Sequence, residues 1–251
     1  MKEDVLAQER YSELSESYFW NTAHNDVVID ALAARLGPPQ AETARRRILD
    51  LGCGPGNTLR RLGAWGTAYG VEYAVSALSV AKSRGLTRVV AGDGLHLPFP
   101  GGAMDCVVAL EVIEHFADDL GVLREAFRIL KPGGLLMVSV PAFMSLWRSH
   151  DELYGHHRRY SRAGLVSVME QAGFRVERCE FIKCLYFLPL LLRARLDRAR
   201  RKDTPGGDDF FRVPHWLSEV LRSQIVWEHR LHLNRLLPFG VSLLCAAYKK
   251  P

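Results

Sequence analysis

Three stretches of this 251-residue sequence combine residue types that can do chemistry at spacings that put them together. In the first, residues 48–62, the apolar Ile48, Leu49 and Leu51 are interrupted by Asp50 and followed by Gly52, Gly54 and Gly56 at alternate positions. Alternating glycines allow φ > 0 and let backbone approach a ligand with no Cβ in the way. The N–H groups of the helix opening near Asn57 and Thr58 then favour a carboxylate or phosphate. The second, Glu111-Val112-Ile113-Glu114-His115-Phe116, places carboxylates and an imidazole after an apolar run, as general acid–base work requires. The third, Ser149 to Arg162, carries Tyr154, His156, His157, Arg158, Arg159 and Tyr160 at intervals unlike a solvated helix face. Arginine offers a planar fork to a phosphate or carboxylate and tyrosine adds a hydroxyl, so this stretch reads as an anion clamp, or more simply as capping and salt bridges to Asp151 and Glu152.

The elements that must position these groups alternate along the chain. A second strand, Ala68 to Val71, ends in Glu72, and a helix follows over Ser76 to Lys82. A third strand, Arg88 to Ala91, closes with Gly92-Asp93-Gly94-Leu95. The fourth, Cys106 to Leu110, is apolar throughout, as a buried parallel strand should be. A helix over Asp118 to Leu130, the stop Lys131-Pro132-Gly133-Gly134 and a fifth strand over Leu135 to Val140 complete the series. Strand and helix alternating in this way predict a doubly wound α/β parallel sheet, with ligands at the carboxyl ends of the strands.

The flanks are helical in pattern. Residues 1–44 are expected to form a helical lid, whose Tyr18-Phe19-Trp20 either staples helices to the sheet or covers the cleft. Residues 181–238 form a helical insertion: apolar from Cys184 to Leu192, basic from Arg193 to Lys202, loop-like at Thr204-Pro205-Gly206-Gly207, and amphipathic from Trp216 to Leu237. Apolar next to basic suits a peripheral membrane contact, a roof over the site, or a homodimer face.

Composition narrows the field. The chain is 48% hydrophobic and 24% charged with a net charge of +5, ordinary for a soluble enzyme. No apolar run approaches the ~20 residues that span a bilayer. The polar N-terminus resembles neither a signal nor a transit peptide, and Cys53, Cys106, Cys179, Cys184 and Cys245 lack a C-x-x-C pair, so a cytoplasmic protein with reduced thiols is expected.

The glycine spacing is G-x-G-x-G with an aspartate two residues ahead, not the G-x-G-x-x-G of dinucleotide sites. With Glu72 lying 20 residues after Gly52, Asp93 at the third strand tip, and the E-H-F and L-K-P-G-G steps, the sequence over 45–180 resembles the class I S-adenosylmethionine (SAM)-dependent methyltransferases. It is most similar to a bacterial small-molecule branch that includes the ubiquinone and menaquinone C-methylases. The resemblance implies a mostly parallel seven-stranded sheet in which residues 239–251 supply a final antiparallel strand. It implies cofactor contacts from Asp50, Gly52, Cys53, Gly54, Gly56, Asn57, Glu72, Tyr73, Asp93, Gly94, Leu95 and Glu111, with S-adenosylhomocysteine as product.

Acceptor contacts are expected from Tyr18, Trp20, His115, Tyr154, His157, Arg158, Arg159 and Tyr160, and Glu114 or His115 is the candidate base. The expected reaction is in-line C- or O-methylation, without a metal, of a small, anionic, partly apolar acceptor such as a prenyl diphosphate, a lipid-linked sugar or a polyketide-type acid. Two alternatives stand beside it: a SAM-pocket protein catalysing a cyclisation, and a nucleic-acid methyltransferase. The second is disfavoured because Glu111-Val112-Ile113-Glu114 replaces the Asn/Asp-Pro-Pro-aromatic pattern of base-amino methylases.

Overall fold

The computed structural model describes residues 18–39, 45–199, 213–232 and 236–250. Seven strands form one sheet in the order β3-β2-β1-β4-β5-β7-β6. They are β1 (Arg47–Leu51), β2 (Thr67–Glu72), β3 (Val89–Ala91), β4 (Met104–Leu110), β5 (Leu130–Pro141), β6 (Phe174–Ile182) and β7 (Ser242–Lys249). Neighbours from β3 through β5 are parallel, and β7 runs antiparallel between β5 and β6. The expected mostly parallel, seven-stranded α/β architecture is therefore present.

Three boundaries differ from the sequence expectation. The helix before β5 ends at Ile129, and β5 begins at Leu130 and runs through Lys131–Gly134, with Gly133 at φ 75° absorbing the bend. The last strand starts at Ser242 instead of residue 239. Strand β6 has no counterpart in the sequence reading and takes in Phe181 and Ile182 from the expected insertion. It pairs with β7 alone, so Arg175, Glu177 and Arg178 are tolerated along it and mask its apolar pattern.

Successive side chains of β1 point to opposite faces, and each face carries its own helices. On one, Ile48, Cys106 and Val108 pack under α1 (Phe19–Leu36) through Phe19, Ala23, Val27 and Leu32, joined by Ile225 of α8 (His215–Arg230). On the other, Leu49, Val107 and Leu136 pack under α4 (Asp119–Ile129) and α6 (Arg162–Gln171). Helices α2 (Asn57–Leu62) and α3 (Val75–Ser83) follow β1 and β2, α5 (Ser149–Leu153) follows β5, and α7 (Phe187–Ala199) follows β6. Ion pairs from Arg222 to Asp26 (2.8 Å) and Arg230 to Asp30 (2.7 Å) fasten α8 to α1, so the two ends of the chain meet over one face of the sheet.

The amphipathic stretch expected to reach Leu237 stops as a helix at Arg230. Residues 1–17 and 40–44 of the expected lid, and Lys202 and Thr204–Gly207 of the insertion, lie outside the described residues. Among those described, no helix is long and apolar enough to cross a membrane.

Leu32 is fully buried between α1 and the sheet. Leu32→Ala is expected to lower the unfolding free energy by about 2–5 kcal/mol, seen as a shifted urea midpoint at constant m-value. A loss below about 1 kcal/mol would mean that α1 is not docked as a core helix.

Candidate functional site

The carboxyl ends of β1, β4 and β5, roofed by α1, α5 and α7, surround a cavity of about 870 Å³. Its first wall is the turn between β1 and α2. Gly52, Gly54 and Gly56 there have φ of 71°, 52° and 89°. A Cβ on Gly52 would strike Val112 and one on Gly56 would strike Leu86, whereas one on Gly54 would meet nothing within 4 Å. Gly54 lines the cavity, so its bare Cα leaves backbone open to a ligand.

The Glu72 carboxylate fastens this turn, accepting from Gly54 N–H (2.9 Å) and Ala74 N–H (2.8 Å). Asp50, also in the wall, is 2% exposed and its Oδ2 has no partner. Burial, and next the Glu72 charge, pushes its carboxyl up to about 8 against the opposing N–H of Leu59. Cys53 and Asn57 complete the wall, with burial raising the Cys53 thiol and Arg84 donating to Asn57 Oδ1 (2.7 Å).

Beyond Glu72 the sheet edge is an open shelf outside the cavity. Tyr73 is 82% exposed. Asp93 Oδ1 accepts from Leu95 N–H (3.0 Å), and the Cα of Gly94 faces the Phe116 ring. Register places Glu72 beside Ala91, so the tips of β2 and β3 are neighbours. The residues expected to touch a cofactor therefore divide: Asp50, Gly52, Cys53, Gly54, Asn57 and Glu111 in the cavity, and Gly56, Glu72, Tyr73, Asp93, Gly94 and Leu95 on or beside the shelf.

The floor is built where β4 ends. Glu111 sits at φ 53°, a strained conformation for a residue with a side chain, held by its N–H to the Ser139 carbonyl (2.8 Å) and by Ser139 Oγ donating to its Oε1 (2.8 Å). A short helical turn, Ile113–His115, then drives Glu114 fully inside. Neither Glu114 oxygen has a partner, and burial, followed by the Glu111 charge, raises its carboxyl well above the ordinary range. His115 meets His156 edge-on, ring centroids 4.7 Å apart, and burial together with His156 lowers its imidazole against the pull of the Tyr154 and Glu111 carbonyls.

Asp151 organises what lies above. It is fully buried and accepts from His156 Nδ1 (2.9 Å), Arg159 Nε (2.8 Å) and Arg148 N–H (2.9 Å). Burial alone would raise its carboxyl, but these donors overcome that and hold it at about 2.

Of the expected acceptor contacts, Tyr18, Trp20, His115, Tyr154 and Arg159 line the cavity. The other three do not. Arg158 pairs with Asp119 (2.9 Å) and donates to the Ala117 carbonyl, and Tyr160 donates to the same Asp119 (2.7 Å). His157 is exposed, because adjacent residues in a loop diverge. The geometry thus keeps Arg159 of the expected clamp in the cavity and commits Arg158 and Tyr160 to Asp119.

Several cavity residues escaped the sequence reading. Lys183 ends β6 at φ 59°, is 3% exposed, and sets its Nζ 4.3 Å from the centre of the Trp20 ring. Burial lowers its ammonium to about 8 against the attraction of Glu111. His24, with neither nitrogen partnered, and Tyr186, with a buried unpartnered hydroxyl, lie in the same wall. His156 and Arg148 were visible as types without a partner to give them meaning. Lys183 had one available signal: it follows directly on a strand at the edge where ligands bind.

A family profile described as a methyltransferase domain matches residues 22–178. A Mycolicibacterium smegmatis protein described as a probable S-adenosylmethionine-dependent methyltransferase is 31% identical over 174 residues, 65% of this chain and 62% of its own. A ubiquinone biosynthesis O-methyltransferase of Xanthomonas campestris is 36% identical over 127 residues, 47% of this chain and 50% of its own. The matches thus span 62% and 50% of these curated relatives' lengths. In fold, the chain is similar to a Haloferax volcanii protein solved with the Trm112 methyltransferase activator, with TM-score 0.62 at 21% identity over 99% of this chain and 97% of that one.

Because the Asp151 carboxyl lies below its ordinary value of 3.8, it stabilises the fold above that pH and the contribution fades as pH falls towards about 2. Asp151→Asn is therefore expected to flatten the acid limb: between pH 5 and pH 3 wild type loses about 1 kcal/mol that the variant does not. Urea titrations at the two pH values with equal acid slopes for both proteins would contradict this.

Proposed function

The chain belongs to the methyltransferase-domain family, and from that premise we propose that it transfers a methyl group from SAM to an oxygen of a small, anionic, partly apolar acceptor. The observation that carries the proposal is one cavity shared by the Gly52–Gly54 backbone and a basic, aromatic wall. SAM supplies a methyl group already activated on a sulfonium, and everything else falls to the chain's own residues.

The cofactor half fits an amino acid. The unpartnered Asp50 Oδ2 is a buried acceptor waiting for an ammonium, and the bare backbone at Gly54 admits a group that a side chain would displace. Glu72 and Asp93, at adjacent strand tips, are the acceptors for the ribose hydroxyls and the adenine amino group. Lys183, Arg148 and Arg159 in the acceptor half favour a carboxylate or phosphate, and Trp20 and Tyr186, packed edge-on at 5.2 Å, offer ring surface to an apolar part. Transfer to oxygen is favoured over carbon because the relatives from Xanthomonas are described as O-methyltransferases, which moves the chain away from the C-methylases of the sequence resemblance. The acceptor hydroxyl must lose its proton, and Glu111 is the carboxylate on the cavity wall to take it.

Two measurements test this. Calorimetric titration with SAM is expected to show affinity rising as pH climbs towards about 8, because Asp50 must ionise to meet the ammonium, and falling above that as the ammonium loses its own proton. Asp50→Asn should weaken binding about 10- to 100-fold and remove the rise. Wild type that fails to bind SAM at millimolar concentration would overturn the cofactor assignment. For the acceptor, mass spectrometry of a panel of hydroxylated carboxylates and phosphates should reveal a product heavier by one methyl group. Lys183→Met should then raise KM about 10- to 100-fold. Wild-type KM should itself rise above pH 8, where the Lys183 charge is lost. A KM insensitive to both changes would remove Lys183 from the acceptor site.

A further inference from the structure

We propose that Glu114, His115 and His156 hold a divalent metal ion at the cavity floor, its remaining coordination positions taking acceptor oxygen. The cation site itself is independent of the methyl-transfer reading; the role given to acceptor oxygen rests on it. This departs from the metal-free site expected from the sequence, where the adjacent His156 and His157 do not share a strand or helix face.

Convergence is the first observation. One ligand atom from each of the three residues lies within 4.8 Å of the other two, and this is the group among the described residues in which three His, Cys, Asp or Glu ligand atoms meet. Metal–ligand bonds of about 2.0–2.2 Å put ligand atoms roughly 3–3.5 Å apart, so closure of about an ångström in side-chain torsions completes the set. Two of the ligands, His115 and His156, also line the cavity, so the ion would be reached from the acceptor side.

The second observation is independent of spacing. Glu114 has no exposed surface, and neither carboxylate oxygen has a hydrogen-bond partner. A buried acceptor left this way costs stability unless something pairs with it. A divalent cation would satisfy the orphaned oxygens.

The third is the way His156 is held. Its Nδ1 is engaged by the Asp151 carboxylate at 2.9 Å, which fixes the tautomer and leaves Nε2 as the ligating atom. Metal-bound histidines are ordinarily oriented by such a carboxylate or carbonyl on the other nitrogen. Asp151 is itself fixed by Arg148 and Arg159, so the ring cannot swing freely. Imidazole and carboxylate ligands suit Zn²⁺, Mn²⁺ or Fe²⁺, and three protein ligands leave positions for oxygens that arrive through the cavity. An acceptor with two neighbouring oxygens would chelate there and be oriented by the ion.

The test uses the full chain, stripped with chelator, dialysed, and titrated calorimetrically with Zn²⁺ and Mn²⁺, with Co²⁺ absorption reporting the ligand field. Wild type is expected to bind one ion per chain. Glu114→Gln and His156→Ala should each weaken binding at least about 100-fold, and Asp151→Asn about 10- to 100-fold through loss of orientation. His215→Ala, on an exposed position of α8, should leave binding unchanged. SAM titration of each variant shows whether it is folded, so a variant that loses both ligands is replaced by its conservative partner, Glu114→Asp or His156→Gln. Wild type binding none of the three ions below millimolar concentration would overturn the proposal, as would binding unaffected by Glu114→Gln and His156→Ala together. Metal binding without SAM binding would sink the cofactor reading and leave the cation site standing.

Discussion

The carboxyl edge of this sheet buries carboxyl groups to which the described residues give too few donors. Asp50 and Glu72 end or nearly end neighbouring strands, and the Glu72 carboxylate makes the ionisation of the buried Asp50 harder. Glu72 is relieved by two backbone N–H donors, which also set the glycine turn. Asp50 keeps one oxygen with no donor at all. The fold tolerates this because β1 is locked between β2 and β4 along its whole length, so the carboxylate cannot retreat to solvent. A site that is electrostatically incomplete by construction binds a cation with little reorganisation, which is the form of preorganisation a charged cofactor exploits.

The same physics recurs one strand over. Glu111 is kept in a strained backbone conformation, Glu114 is buried without a partner, and Asp151 is buried with three. The contrast between Glu114 and Asp151 is informative because the two are neighbours in one network. Where the chain supplies donors, the carboxyl is held at about 2; where it supplies none, the carboxyl is pushed upward. Natural folds leave few buried polar groups unpaired, so those gathered around the site, Asp50 Oδ2, both oxygens of Glu114, both nitrogens of His24 and the Tyr186 hydroxyl, are the groups that a ligand could satisfy.

Legibility in the sequence followed the range of the interaction. The glycine turn, the acidic tip of β2 and the apolar run of β4 are local patterns carried by a few consecutive residues, and the structure forms each where the sequence predicts it. The anion clamp was read from residue types alone, and types do not reveal partners. Asp119, 40 residues upstream in the chain, captures Arg158 and Tyr160, while Asp151 turns Arg159 and His156 towards the cavity. His24 stands near the start of the matched core and Lys183 just beyond its end, and they become neighbours only through the packing of α1 beside β6. The edge strand β6 was obscured for a related reason: with one paired side, it can carry charges that break the apolar rhythm.

This division bears on what sets the acceptor. The family match ends at residue 178, and Lys183, Tyr186, Leu190, Arg193 and Leu221 of the cavity wall all lie beyond it. The wall from Asp50 to Asn57 is therefore built from the matched core, and much of the opposite wall from elements outside that match, docked by apolar contacts and the α1–α8 ion pairs. Change in those flanking elements can reshape the opposite wall while leaving Asp50, the glycine turn and Glu72 undisturbed, since no hydrogen bond given for that turn among the described residues passes through α7 or α8. Lys183 sits at the join, its position set by β6 in the core and its partner, Trp20, by the N-terminal helix. Its buried ammonium is held by an aromatic face on one side and drawn to Glu111 on the other, so one side chain ties the N-terminal helix to the floor of the cavity.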